Sequence, residues 1–197
     1  MKKKTIGLLF GSFNPIHIGH VSLSKYFLEN SDIEEVCLVV SPQNPLKEET
    51  SLLPASERLK MTLIAVENMQ GVSVSDIEFF LRKPSYTVDT LKFFSEKYPE
   101  SEFILIIGED NLTIFDQWKD YQYILDNYKI YVYNRSGYSL SQLSPFSQHP
   151  NVFFFKAPLW DISSSSIRKL IYEGENVKGV LPEKVYDCIK EYRYYKS

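Results

Sequence analysis

The residues best suited to chemistry lie at Gly11 to His20, GSFNPIHIGH: a glycine-serine turn, a proline, and two histidines three positions apart at the start of a helix. That spacing puts His17 and His20 on one helical face. Gly19 between them carries no side chain, so a phosphate can come close to the backbone, and the exposed amides of a first helical turn add partial positive charge. A nucleoside triphosphate suits such a place, with Gly11, Ser12 and Phe13 forming the turn that leads into it. One histidine at a helix start is more often a cap or a surface residue; the pair with its glycines favours anion binding. Zinc fits less well, because helical zinc pairs usually sit four apart with a third ligand elsewhere, and the remaining histidine, His149, falls in a loop.

Asp161 to Arg168, DISSSSIR, is a second helix start rich in hydroxyls. Ser163 or Ser164 caps it, and Arg168, in the first turn or so, can bridge phosphate oxygens with its planar fork. Taken alone, this is as easily a serine-rich cap with a surface arginine. Two helix starts at one sheet edge shift the reading towards phosphate. The chain has no Walker-type loop, no dinucleotide-binding glycine fingerprint and no nucleophile elbow, which disfavours a kinase or hydrolase. Nucleotidyl transfer fits better. A substrate phosphate is already ionised and can attack the α-phosphorus of ATP without a protein base, so the protein need only align reactants and offset growing charge.

These segments need a scaffold that gathers them. Apolar runs and helical spacing alternate along the chain: strand 5–10, helix 19–28, strand 36–40, helix 56–69, strand 72–75, helix 86–98 and strand 103–108. A short helix through Leu112 and Ile114, a helix near 121–126 and a strand at 129–133 follow. Residues 134–150, rich in Ser, Pro and Gln, read as a loop. A strand at 152–155, the helix opened by DISSSSIR and a last helix over 181–195 complete the chain. The expectation is a single Rossmann-like, doubly wound α/β domain over 1–197, with a mostly parallel sheet, a right-handed first crossover and helices on both faces. Ligands in such sheets bind beyond the carboxyl ends of the strands. There the sequence places GSFNPIHIGH, SPQNPLK, GEDN and DISSSSIR.

Composition narrows the partners. The 22 basic and 25 acidic residues are mixed rather than blocked and leave a net charge of -3, so a nucleic-acid-coating surface is not expected and a polyanion must be attracted locally. The two cysteines, Cys37 and Cys188, have neither metal-ligand nor disulfide spacing, which suits a reducing cytoplasm. The opening MKKKTIGLLF is too short for a secretory signal, and no segment approaches the roughly 20 apolar residues of a membrane helix.

GSFNPIHIGH and ISSSSIR resemble the paired signatures of the H-x-G-H nucleotidyltransferases. PSYTVDTL (84–91), GEDNLTIFDQW (108–118), RSGY (135–138) and LPEKVYDCI (181–189) are similar to bacterial nicotinate-nucleotide adenylyltransferases, in order and over nearly the whole chain. The resemblance implies transfer of AMP from ATP to nicotinate mononucleotide, giving nicotinate adenine dinucleotide and pyrophosphate in NAD biosynthesis. It implies that His17, His20 and Arg168 are catalytic and that Ser165 joins Arg168 on the β- and γ-phosphates. ATP would also meet Gly11, Ser12, Phe13, Gly19, Lys47, Gly108, Ile167 and Asp110, the last on the ribose. Thr87, Trp118 and Arg135 would hold the acceptor. Mg2+ would arrive with ATP, held mainly by phosphate oxygens, and a homo-oligomer is compatible with the pattern. Three positions depart from it: Phe10 where a glycine is common, Asn14 where aspartate is common, and Leu46 where a histidine often precedes the basic residue, which shifts weight to Lys47. Class I aminoacyl-tRNA synthetases share the His-Ile-Gly-His signature, but the chain lacks their Lys-Met-Ser-Lys-Ser segment. Nicotinamide-mononucleotide, phosphopantetheine, FMN and glycerol-phosphate enzymes share the phosphate machinery. A non-catalytic nucleotide-binding module is the alternative from another class.

Overall fold

The first strand shows why the chain folds as a sheet buried on both faces. In the computed structural model, which describes residues 2–42, 52–134 and 145–196, β1 (Lys4–Gly11) carries Leu8 into one core cluster and Leu9 into the other. Neighbouring side chains on a strand point to opposite faces, so a continuous apolar run requires cover on both. The same division occurs in β2 (Glu35–Val40), where Leu38 and Val39 face opposite cores, and in β4 (Ser101–Gly108), with Ile104 and Leu105.

Among the described residues six strands form one sheet in the order β3-β2-β1-β4-β5-β6, with β3 at Val72–Ser75, β5 at Lys129–Tyr133 and β6 at Val152–Phe155. Every pairing is parallel. The expected sheet was mostly parallel; the strand order and the helical connections leave no antiparallel neighbour. The helices α1 (Ile18–Asn30), α2 (Ala55–Val66), α6 (Ser164–Tyr172) and α7 (Glu183–Tyr192) supply the core around Phe27, Met61, Ile167 and Val185. On the opposite face α3 (Thr87–Lys97) and α5 (Tyr121–Asn127) supply Val88, Leu91 and Ile124. A four-residue helix α4 (Glu109–Leu112) leaves directly from β4.

The last helix is shorter than the apolar spacing suggests. Pro182 caps its start and Arg193, at φ 54, ends it in the left-handed region. Of the 134–150 stretch, residues 145–148 form turns, and 135–144 lie outside the described residues. No described helix is long and apolar enough to cross a membrane. Both cysteines are buried and unpaired with each other, and burial pushes the Cys37 thiol up to about 11, far from thiolate reactivity at neutral pH.

The strand order reverses across β1, whose neighbours are β2 on one side and β4 on the other. The successors of β1 and β3 therefore run to opposite sides, and a crevice opens beyond Gly11 and Gly108 at the strands' carboxyl ends.

Candidate active site

A cavity of about 780 Å³ fills that crevice. From β1 the chain leaves through Gly11 and Ser12 and reverses at Phe13, which takes φ 45. A left-handed aromatic residue costs on the order of 1–2 kcal/mol. Burial of its ring to 2% exposure offsets this. The ring also decides what Gly11 can be: a Cβ there would stand 2.7 Å from Cε1 and 2.8 Å from Cζ of Phe13. Phe13 in turn meets the His20 ring edge-on at 5.0 Å. Gly11→Ala is therefore expected to push Phe13 against His20 and lower turnover about tenfold, the cost of a misplaced reacting group. Steady-state kinetics on the purified variant check this.

His17 is the N-cap of α1, with extended backbone, and His20 is three positions into the helix. The His17 N–H donates to His20 Nδ1 at 3.3 Å. A neutral His20 that accepts at Nδ1 carries its proton on Nε2. The two rings lie 3.8 Å apart, tilted by 36°. Gly19 holds this arrangement open, since a Cβ there would sit 3.0 Å from Nδ1 and Cε1 of His17. The pairing on one face foreseen from the spacing is thus realised as ring contact.

The second helix start is joined to the first by direct bonds. Ser163 caps α6, and its hydroxyl accepts from the Ser166 N–H at 3.0 Å. The Ser164 hydroxyl donates to the Pro15 carbonyl at 2.9 Å, and Arg168 Nη1 donates to the Asn14 carbonyl at 2.9 Å. Arg168 stands in the second turn of the helix rather than its first. Ser165 and Arg168 line the cavity together with Ser12, His17 and His20.

On the β4 side, Gly108 caps α4, and Asp110 in its first turn lines the cavity. Thr87, the first residue of α3, and Trp118, which follows a 3-10 turn at Phe115–Gln117, form the far wall. The Trp118 ring packs at 5.3 Å from Phe115, and its Nε1 is buried with no protein partner among the described residues, as is the Ser85 hydroxyl. Buried donors in a cavity wall are normally satisfied, so polar atoms of a ligand suit this end.

Most sequence-predicted residues thus meet at one cavity. Ile167 does not: its side chain is fully buried in the core, and its N–H is spent on the Ser163 carbonyl at 3.0 Å. Lys47, Leu46 and Arg135 lie outside the described residues. Among the described residues no three His, Cys, Asp or Glu side chains are grouped so as to hold a metal ion.

Glu78 and Trp160 are among the cavity residues that no motif in the sequence marks. Glu78 is only 2% exposed, accepts from the Thr90 hydroxyl at 2.8 Å, and has its pKa raised by burial, against hydrogen bonds from Ser41 and Thr90 that lower it. Its signal was a lone carboxylate inside the apolar run Ile77–Phe80. Trp160 lines the rim beside Gly19, to whose added Cβ its own Cβ would lie at 3.5 Å. Nothing in its spacing separates it from a core tryptophan.

Comparison with known proteins gives a consistent picture. Residues 8–170 match the model of the cytidylyltransferase-like family. The chain is 44% identical to a probable nicotinate-nucleotide adenylyltransferase of Flavobacterium johnsoniae over 192 residues, 98% of this chain and 99% of that protein. It is 46% identical to the protein of the same description from Cytophaga hutchinsonii, over 98% of each. In fold it is similar to Plasmodium falciparum nicotinic acid mononucleotide adenylyltransferase complexed with NaAD, at a TM-score of 0.82 and 20% identity, covering 98% of this chain and 97% of that one.

Proposed function

The chain belongs to the cytidylyltransferase-like family and, within it, to the nicotinate-nucleotide adenylyltransferases, and from that premise we propose that it transfers AMP from ATP to nicotinate mononucleotide. The observation that carries the reading is the junction of two helix starts at one cavity, α1 with its two contacting histidines and α6 with Ser165 and Arg168, tied by the bonds to Asn14 and Pro15.

In the proposed reaction an oxygen of the acceptor's 5′-phosphate attacks the α-phosphorus of ATP. The new O–P bond forms as the bond from the α-phosphorus to the bridging oxygen breaks, and its electron pair leaves with pyrophosphate. No proton need be removed from the nucleophile, so the site needs no general base. It needs donors where charge grows. His17, His20, the Arg168 fork and the amides that precede the capped Ser166 N–H at the start of α6 are the donors on this face. They are preorganised by bonds within the protein, so little reorganisation is required at the moment of transfer.

Asp110 is the candidate for the adenosine ribose, since a carboxylate accepts two hydroxyls. Thr87 and Trp118 are the candidates for the pyridine, the indole offering its face to the ring and its N–H to a polar substituent. Lys47 and Arg135 remain candidate phosphate contacts on their residue type. Mg2+ is expected to enter with the triphosphate. The imidazole and guanidinium groups at the phosphate end are poor ligands for a hard cation and no carboxylate pair stands there, so phosphate oxygens and water are expected to hold most of its coordination sphere. A cytoplasmic place of action is part of the same proposal.

The acceptor is tested by measuring pyrophosphate release with ATP and, in turn, nicotinate mononucleotide, nicotinamide mononucleotide and phosphopantetheine. The proposal expects nicotinate mononucleotide to give the highest kcat/KM by at least about tenfold, a difference of about 1.4 kcal/mol in transition-state binding. Activity with phosphopantetheine alone would remove the pyridine assignment.

A further inference from the structure

Arg58 is the largest fully buried side chain of the described residues, 1% exposed, on the first turn of α2. A buried guanidinium is costly unless each donor is satisfied. Here every guanidinium nitrogen donates to a carbonyl, with no ion pair among the described residues. Nη1 donates to the Ser12 carbonyl at 2.5 Å and to the Ser41 carbonyl at 2.7 Å. Nη2 donates to the Pro42 carbonyl at 2.8 Å, and Nε to the Leu53 carbonyl at 2.9 Å. Burial pulls its pKa down, yet guanidinium remains charged at neutral pH.

The four carbonyls belong to the loop after β1, the loop after β2 and the chain entering α2. The first and second of these loops border the cavity through Ser12 and Ser41. Asn14 reinforces the same junction: its Oδ1 accepts from the Leu53 N–H at 3.2 Å and from the Tyr195 hydroxyl at 2.9 Å. An amide oxygen does this as well as a carboxylate would, which accounts for the tolerance of asparagine there.

We infer that Arg58 is a positioning residue for adenylyl transfer: its single fork fixes the loop after β1 to the loop after β2. The inference rests on the proposed reaction, in which the first loop carries the ATP-side donors and the second borders the same cavity at Ser41. A planar fork with donors in fixed directions can clamp several carbonyls at once. An ammonium group, a point donor on a flexible stem, cannot reproduce that geometry. The guanidinium also places a buried positive charge behind the loop in a chain whose net charge is negative, so its loss removes a local attraction for polyphosphate.

The test compares wild type with Arg58→Lys and Arg58→Gln, reading thermal unfolding, kcat, and the Kd of ATP by calorimetry without acceptor. Folded R58K is expected to lose about tenfold in kcat while the Kd of ATP moves less than threefold, because alignment is lost and charge is kept. R58Q, which loses both, is expected to weaken ATP binding as well. A folded R58K with kcat within twofold of wild type overturns the inference. So does an R58Q whose Kd equals that of R58K. If neither variant folds, hydrogen exchange of the wild-type protein decides. The Ser41 amide, bonded to the Gly11 carbonyl at 2.9 Å, and the Leu53 amide must then be protected like β2 amides, and free-peptide exchange there overturns the inference. An inactive wild-type enzyme would instead count against the proposed reaction.

Discussion

His20→Ala is expected to lower turnover by about two to three orders of magnitude at saturating substrates, the effect of removing one preorganised donor to a transition-state oxyanion. The ring is held on three sides: by the His17 N–H at Nδ1, by the His17 ring at 3.8 Å and by Phe13 at 5.0 Å. These contacts fix the ring where it lines the cavity. The effect should fall on kcat more than on KM, because the donor meets charge that grows only during transfer. Turnover within threefold of wild type in a folded H20A protein would show that the ring is part of the wall and not of the chemistry.

Arg168→Ala is expected to reduce kcat/KM for ATP by about 100-fold, or roughly 2.7 kcal/mol, within the range for charge-assisted hydrogen bonds. Two effects combine. The fork that can meet phosphate oxygens is lost, and so is the bond that ties α6 to the Asn14 carbonyl. Arg168→Lys keeps the charge but not the fork, and should recover less than tenfold of the loss. Steady-state kinetics over an ATP series check both variants. Equal recovery by lysine would mean that charge alone matters and that the link between the helix starts does not.

Much of this fold is legible in the sequence because burial on both faces writes itself into composition. VCLVV and FILIIG admit no solvent-facing side, so they had to be central parallel strands, and β2 and β4 flank β1 in that role. The helix starts were legible because capping and anion binding use few residue types, and Ser163 caps as its hydroxyl suggested. Arg58 was not legible. In SERLKM it reads as one charge on an amphipathic helix, and only the convergence of three loops makes it an internal clamp. Glu78 was hidden for the same reason, since its partner Thr90 stands on another helix. Ile167 erred the other way. Its place within ISSSSIR suggested a ligand contact, whereas helical periodicity turns its side chain into the core. Side chains whose roles depend on long-range neighbours leave no periodic trace in a sequence.

Transfer of the adenylyl group itself is followed through the α-phosphate. The protein is incubated with magnesium, ATP labelled at the α-phosphorus and nicotinate mononucleotide, and products are separated by chromatography. The label is expected to appear in nicotinate adenine dinucleotide, with one pyrophosphate released per dinucleotide formed and none without acceptor. Label recovered only as ATP, or as AMP or ADP formed independently of the acceptor, would contradict it.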